Sequence, residues 1–261
     1  MSAIKIQQPR RKLAPAPSRF EPHHRWDRSF FLTYVGLIWF VILIGFVPEV
    51  IRHVETSKQP YPLVVHIHAV VFVGWLVLLT TQVLLVRARR VDLHRQLGMA
   101  GAVLAIAVVG MGLLTSIIAD RRNLGTPDAD PAFFSIQLLD MVSFGGAMVA
   151  AIALRADASA HKRLILLAVL SLVDAGYSRC LFIVNPMTKA LGAGFWPFMA
   201  ENYLANGVFI LGIGAYDLLT RQRLHPAYVA GATWVCGCLG LAGWLYVTPA
   251  WKPIALALIG R

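Results

Sequence analysis

The chain falls into long apolar blocks separated by short charged ones. Apolar runs of roughly 18 or more residues are long enough to cross the hydrocarbon of a bilayer as a helix. Seven stand at about 30–50, 62–86, 97–119, 134–154, 164–184, 203–220 and 228–247. The pattern predicts an all-α, polytopic transmembrane helical bundle of seven spans, occupying 30–261 as one domain. Residues 1–29 carry seven Lys/Arg and Pro9, Pro15 and Pro17. They are expected to form a disordered basic cytoplasmic tail rather than a cleaved signal peptide.

Composition strengthens the membrane reading. Hydrophobic residues make up 57% of the 261 and charged residues 14%, against roughly 25% charged in soluble domains. The net charge of +11 raises the question of nucleic acid, and its distribution answers it. Sixteen Lys/Arg fall in the tail and in the loops around Arg87–Arg95, Arg155–Arg163 and Arg221–Arg223; only seven fall in the alternate segments. That asymmetry is the positive-inside signature of an N-in, C-out protein. The lipid bilayer is then the partner, and no nucleic acid is expected.

Polar groups inside apolar runs are costly and mark function or pairing, and here they form two layers. The outer one comprises His66, His68, Asp140, Arg179 and Asn206, with Asp140 about 9 Å into its helix at about 1.5 Å per residue. Asp140 and Arg179 are the natural ion pair, whether as a helix staple or as part of a polar path. His66 and His68, two residues apart, point to nearly opposite faces. Asp174, near the middle of the fifth run, reads either as a proton-relay carboxyl or as a neutral hydrogen-bonded acid.

The inner layer is built on regular spacing. His94, His161 and His225 each adjoin arginine or lysine at a helix end, 67 and 64 residues apart. Arg95, Lys162, Arg163, Arg221 and Arg223 surround them, with the second buried acid, Asp217, about a turn above. Three imidazoles and a carboxylate have the composition of a transition-metal site. Two histidines on different helices can also ligate haem b, and the cations can hold propionates, lipid headgroups or a phosphorylated substrate. The plain alternative is that these are topology-setting loop charges. Cys180, Cys236 and Cys238 fall within apolar runs and read as packing residues rather than a disulfide framework.

A family likeness rests on these same residues. His66-Ile67-His68-Ala69, Phe72, Gly74-Trp75, Gln82, Arg90-Val91-Asp92-Leu93-His94-Arg95-Gln96-Leu97-Gly98, Asp140-Met141, His161-Lys162-Arg163-Leu164 and Tyr216-Asp217 through Arg221 with Leu224-His225-Pro226 carry it. Over most of 30–247 the chain resembles a broad family of uncharacterised bacterial multi-pass membrane proteins. That implies a helical protein of the bacterial inner membrane and implies no activity. The His161-Lys162-Arg163-Leu164 segment is also similar to small membrane proteins implicated in haem–copper oxidase maturation, which implies a respiratory-complex partner.

Phosphate-loop, His-Glu-x-x-His and Gly-x-Ser-x-Gly signatures are missing from the sequence. The functional expectation is therefore an intramembrane histidine site for haem, metal or quinone, serving electron transfer or respiratory-complex maturation. The competing readings are a transporter or lipid-handling protein with a buried Asp/Arg path, and an assembly subunit without chemistry.

Overall fold

A computed structural model of the chain describes residues 20–56, 60–127 and 129–260. Lys5, Arg10, Arg11, Lys12, Arg19, Lys58, Asp128 and Arg261 lie outside the described residues, and so does most of the expected basic tail. The described residues form ten α-helices. These are α1 Asp27–Thr56, α2 Leu63–Arg87, α3 Val91–Asn123, α4 Phe134–Ala153, α5 Ala158–Leu170, α6 Asp174–Tyr177, α7 Leu181–Leu191, α8 Phe195–Arg221, α9 Pro226–Val247 and α10 Trp251–Ile259. Six are long and apolar enough to cross a membrane, and the bent run α5–α7 is a seventh candidate. The protein is thus an all-helical bundle of multi-pass membrane character.

Helix starts follow local chemistry. Asp157 caps α5 by accepting from the Ser159 and Ala160 amides, and His225 caps α9 ahead of Pro226 in the first turn. Each satisfies donors that a helix start otherwise leaves bare. α4 lies at the centre, packed against α3, α5 and α9. Half of its most apolar stretch is buried, against 17% for α2 and for α3. The outer helices instead turn large apolar side chains away from the protein, Ile106 and Leu219 being about three-quarters exposed. A surface of that kind fits lipid rather than water.

The fifth apolar run departs from the expected single helix over 164–184. It breaks after Leu170, makes one further turn as α6, and leaves as α7 at 83°. The break has a visible cause. The last turn tightens to i→i+3 bonds, Val173 N–H donating to the Leu170 carbonyl at 2.9 Å, and the Asn206 amide donates to the same carbonyl at 3.0 Å, so that acceptor is already used twice where a continued helix would offer it to residue 174. Ser171 at the same point donates to the Ser143 hydroxyl at 2.8 Å. α1 presses directly on the broken segment, since a Cβ at Gly45 would sit 1.9 Å from the Gly176 carbonyl oxygen.

Two further segments differ from the apolar pattern. The outer connection 185–202 is not a separate cap: it is the end of α7 and the start of α8, turned at Gly192 and Gly194 with φ of +78° and +129°. α10, too short to register as a span, packs Trp251, Ala255 and Ile259 against Phe134.

Candidate functional site: a charged inner rim and a buried carboxyl pair

The inner rim is built around two acids. Asp217 of α8 accepts from Arg163 Nε at 2.7 Å and also from its Nη2. Neither side chain is more than 1% exposed. Arg163 Nη1 continues to the Ser159 carbonyl at 2.8 Å. Asp27, the first residue of α1, receives Lys162 Nζ at 2.7 Å, Arg221 Nη2 on both oxygens at 2.9 and 3.0 Å, and the Tyr216 hydroxyl. Two-pronged Arg–carboxylate contacts are the strong and directional kind.

Residues 20–27 form a strap over this network. The Glu21 carbonyl accepts from Arg221 and the Pro22 carbonyl from Lys162. The Phe20 ring has Arg163, Arg221 and Arg223 guanidinium groups 4.8, 5.3 and 5.5 Å from its centre and His225 edge-on at 4.6 Å. The cations expected to hold an anionic guest are thus engaged by the chain's own Asp27, Asp217 and Phe20.

The three inner histidines do not converge. His94 and His161 face each other with ring centres 6.4 Å apart, and His161 Nδ1 bonds the Ala151 carbonyl at 2.8 Å. His225 lies elsewhere, capping α9 through Nδ1 and edge-on to Phe20. Burial, with Arg163 nearby, holds its imidazole below the usual histidine pKa. Arg95 is exposed at the rim. Among the described residues no three His, Cys, Asp or Glu side chains are arranged to hold a metal ion. The expected His94/His161/His225 metal set is therefore not assembled, because the α9 cap draws His225 toward the strap.

The outer layer separates as well. His66 is exposed, while His68 is half-buried and stacked on Phe72 at 3.9 Å. Asp140 and Arg179 do not pair: Arg179 is exposed, donates to the Ala175 carbonyl at 2.6 Å, and lies over Phe46 at 4.7 Å. The bend at 178–180 turns it outward, away from α4.

What lies against Asp140 is Asp174, the first residue of α6, with Tyr203 of α8 beside them. Both acids are 5% exposed, Tyr203 4% and Asn206 0%. Asp140 Oδ1, Asp174 Oδ1, Asn206 Oδ1 and the Tyr203 hydroxyl are sealed from solvent without a hydrogen-bond partner among the described residues. Below them, Ser143, Ser171 and the Leu170 carbonyl extend the column, and Trp234 Nε1 donates to the Ser143 carbonyl at 3.1 Å. Two carboxyls side by side in a low-dielectric interior repel one another when both are ionised.

Two apolar grooves lie outside this column. One of about 450 Å³ runs between α1 and α8 beside Phe30, Tyr34, Tyr177 and Phe209; one of about 350 Å³ lies between α4, α5 and α9. Neither is lined by Asp140 or Asp174, so the pair is occluded. Comparison with family models, with curated proteins and with solved structures gave no match.

Sequence reasoning put Asp140 and Asn206 in one outer layer and Asp140, Arg179 and Asp174 along one polar path, but paired Asp140 with Arg179 rather than with Asp174. It missed Asp27, Phe20 and Tyr216. A lone acid between Arg25 and Arg28 at the mouth of an apolar run was the available signal for Asp27.

Proposed function

We propose that the protein is a bacterial inner-membrane transporter with N-in, C-out topology and seven spans. In this reading the Asp140–Asp174 pair binds and releases the coupling ion. One observation carries it: two nearly fully buried carboxyls meet beside a break in a candidate span, and among the described residues no Lys or Arg makes an ion-pair contact with either, Arg179 acting on Asp174 only from farther off. Intramembrane acids of this kind mark ion paths, and broken helices with exposed main-chain groups are where transporters hold their ions. The positive-inside asymmetry supports the orientation. The motif likeness to bacterial multi-pass proteins supports the membrane assigned.

The test is proton entry into liposomes containing the full-length protein, driven by an imposed potassium diffusion potential and read with an entrapped pH dye. Asp140→Asn and Asp174→Asn should each remove at least nine-tenths of the protein-dependent rate, and His94→Ala should leave it near wild type. Equal rates in wild type and both acid variants would remove the reading.

A second reading, a redox cofactor on histidines, is favoured by one feature. A ligating histidine characteristically gives its other ring nitrogen to a carbonyl, and His161 does so to Ala151 opposite His94. A visible spectrum and elemental analysis decide it: a Soret band or stoichiometric copper or iron lost in His94→Ala supports it, and a colourless, metal-free protein ends it.

A further inference from the structure

Resting on the transporter reading, we infer that Asp140, Asp174, Tyr203 and Asn206 together form a binding site for a desolvated Na+ ion. Four oxygens from three separate stretches of chain, on Asp140, Asp174, Tyr203 and Asn206, are sealed from solvent without a hydrogen bond of ordinary geometry among the described residues, and the two acids and Tyr203 lie against one another. Sealing unpaired polar oxygens is costly, and a cation coordinated by several of them removes that cost at once. Asn206 is the telling member. Its Nδ2 is committed to the Leu170 carbonyl at 3.0 Å, which fixes the amide and leaves Oδ1, fully buried, unpaired. Tyr203, one helical turn earlier on α8, brings its hydroxyl against Asp140.

The donor set selects the ion. All donors are oxygen, which suits hard cations and disfavours copper, zinc and iron. The site is sealed from solvent and, among the described residues, has two carboxyls. Mg2+ keeps much of its hydration shell and Ca2+ takes six to eight oxygens, so neither matches four side-chain donors in a sealed column. Charge closes as well, since one Na+ and one proton neutralise two carboxylates. Arg179 makes no ion-pair contact with either acid: its guanidinium lies over Phe46 and donates to the Ala175 carbonyl, and it acts on Asp174 only from a distance.

The test is thermal unfolding of the purified full-length protein in detergent, titrated with NaCl and, at matched ionic strength, with KCl, choline chloride, MgCl2 and CaCl2. Binding to the folded state alone raises Tm with ligand concentration. NaCl should give a saturable rise of a few degrees over choline. Tyr203→Phe, which removes one oxygen and keeps the ring, should need several-fold more Na+ for half the effect, and Asp174→Asn should show none. Asp140→Asn serves as the matching arm if Asp174→Asn does not fold. Identical curves in NaCl and choline would overturn the inference, as would a response confined to MgCl2 or CaCl2, or one kept in both acid variants. Proton entry that needs both acids without any Na+ stabilisation would sink Na+ binding alone and leave the transporter reading standing. Na+ stabilisation lost in the acid variants, with proton entry indifferent to them, would do the reverse.

Discussion

The protein keeps acids in two buried places and treats them in opposite ways. At the inner rim, Asp217 and Asp27 are met by Arg163, Arg221, Lys162 and Tyr216, with several contacts at 2.7–3.0 Å. In the middle of the bundle, the Asp140–Asp174 pair has Tyr203 and the start of α6 against it and no ion-pair contact with a basic side chain among the described residues, and one oxygen of each acid is without a hydrogen-bond partner. Charges with every partner supplied are frozen: moving a proton or an ion there means breaking a network. Charges left short of partners are poised to accept something. The rim therefore reads as a structural latch joining α1, α5 and α8, and the middle as the working site.

The comparison is broken most forcefully at Arg163. Arg163→Met leaves the buried Asp217 without its two-pronged partner and with only Arg221, 4.0 Å away, as a basic neighbour among the described residues, which should cost about 3–5 kcal/mol. It should show as a large fall in Tm or as failure to accumulate in the membrane. The double variant Arg163→Met/Asp217→Leu should recover most of that loss, since a buried pair replaced by apolar groups is often neutral or better. A double variant no better than the single would mean the pair does more than satisfy itself.

Asp27→Asn comes next. It weakens the charge-assisted bonds to Lys162 and Arg221 and should cost about 1.5–3 kcal/mol, mostly local to the strap and the start of α1. Limited trypsin digestion reads it directly, because Arg25 and Arg28 flank the latch. Cleavage there should accelerate in the variant while Tm falls less than in Arg163→Met. Asp140→Asn and Asp174→Asn should behave oppositely to both. With no basic partner to orphan, each should change stability by less than about 1 kcal/mol while removing transport. A large loss of Tm in those variants would place the middle acids in the same class as the rim.

The apolar blocks were enough to read a multi-pass helical bundle, and the composition enough to read lipid around it, because burial in a bilayer is written into long runs of single residues. The site was legible only as separate residues. Asp140 and Arg179 looked like natural partners because each is charged at a similar depth. Whether they meet depends on the 83° bend between Tyr177 and Leu181, a tertiary feature of the bundle. No periodicity carries that. The even spacing of His94, His161 and His225 was real as spacing and misleading as geometry. One of the three is spent on a helix cap, and that role is decided by Pro226 and the strap rather than by the interval.

The smallest effect sharpens the rim from its edge. His225 lies just outside α9, and burial beside Arg163 depresses its pKa below 6.5. The unfolded chain then binds the proton first, so stability is level above about pH 6.5 and falls as pH drops from there toward the lower folded value. Neutral Nδ1 is also what accepts the Ala227 amide at 3.1 Å, and a ring that gained a proton on it could not. Asp157, 3.8 Å from Nε2, is too far and too exposed to offset this. His225→Asn keeps a capping acceptor and removes the titration. Its Tm near pH 7.5 should stay within about 1 kcal/mol of wild type, and the decline between pH 6.5 and 5 should become shallower. An unchanged slope would mean that the acid sensitivity of the rim comes from another group in contact with the strap.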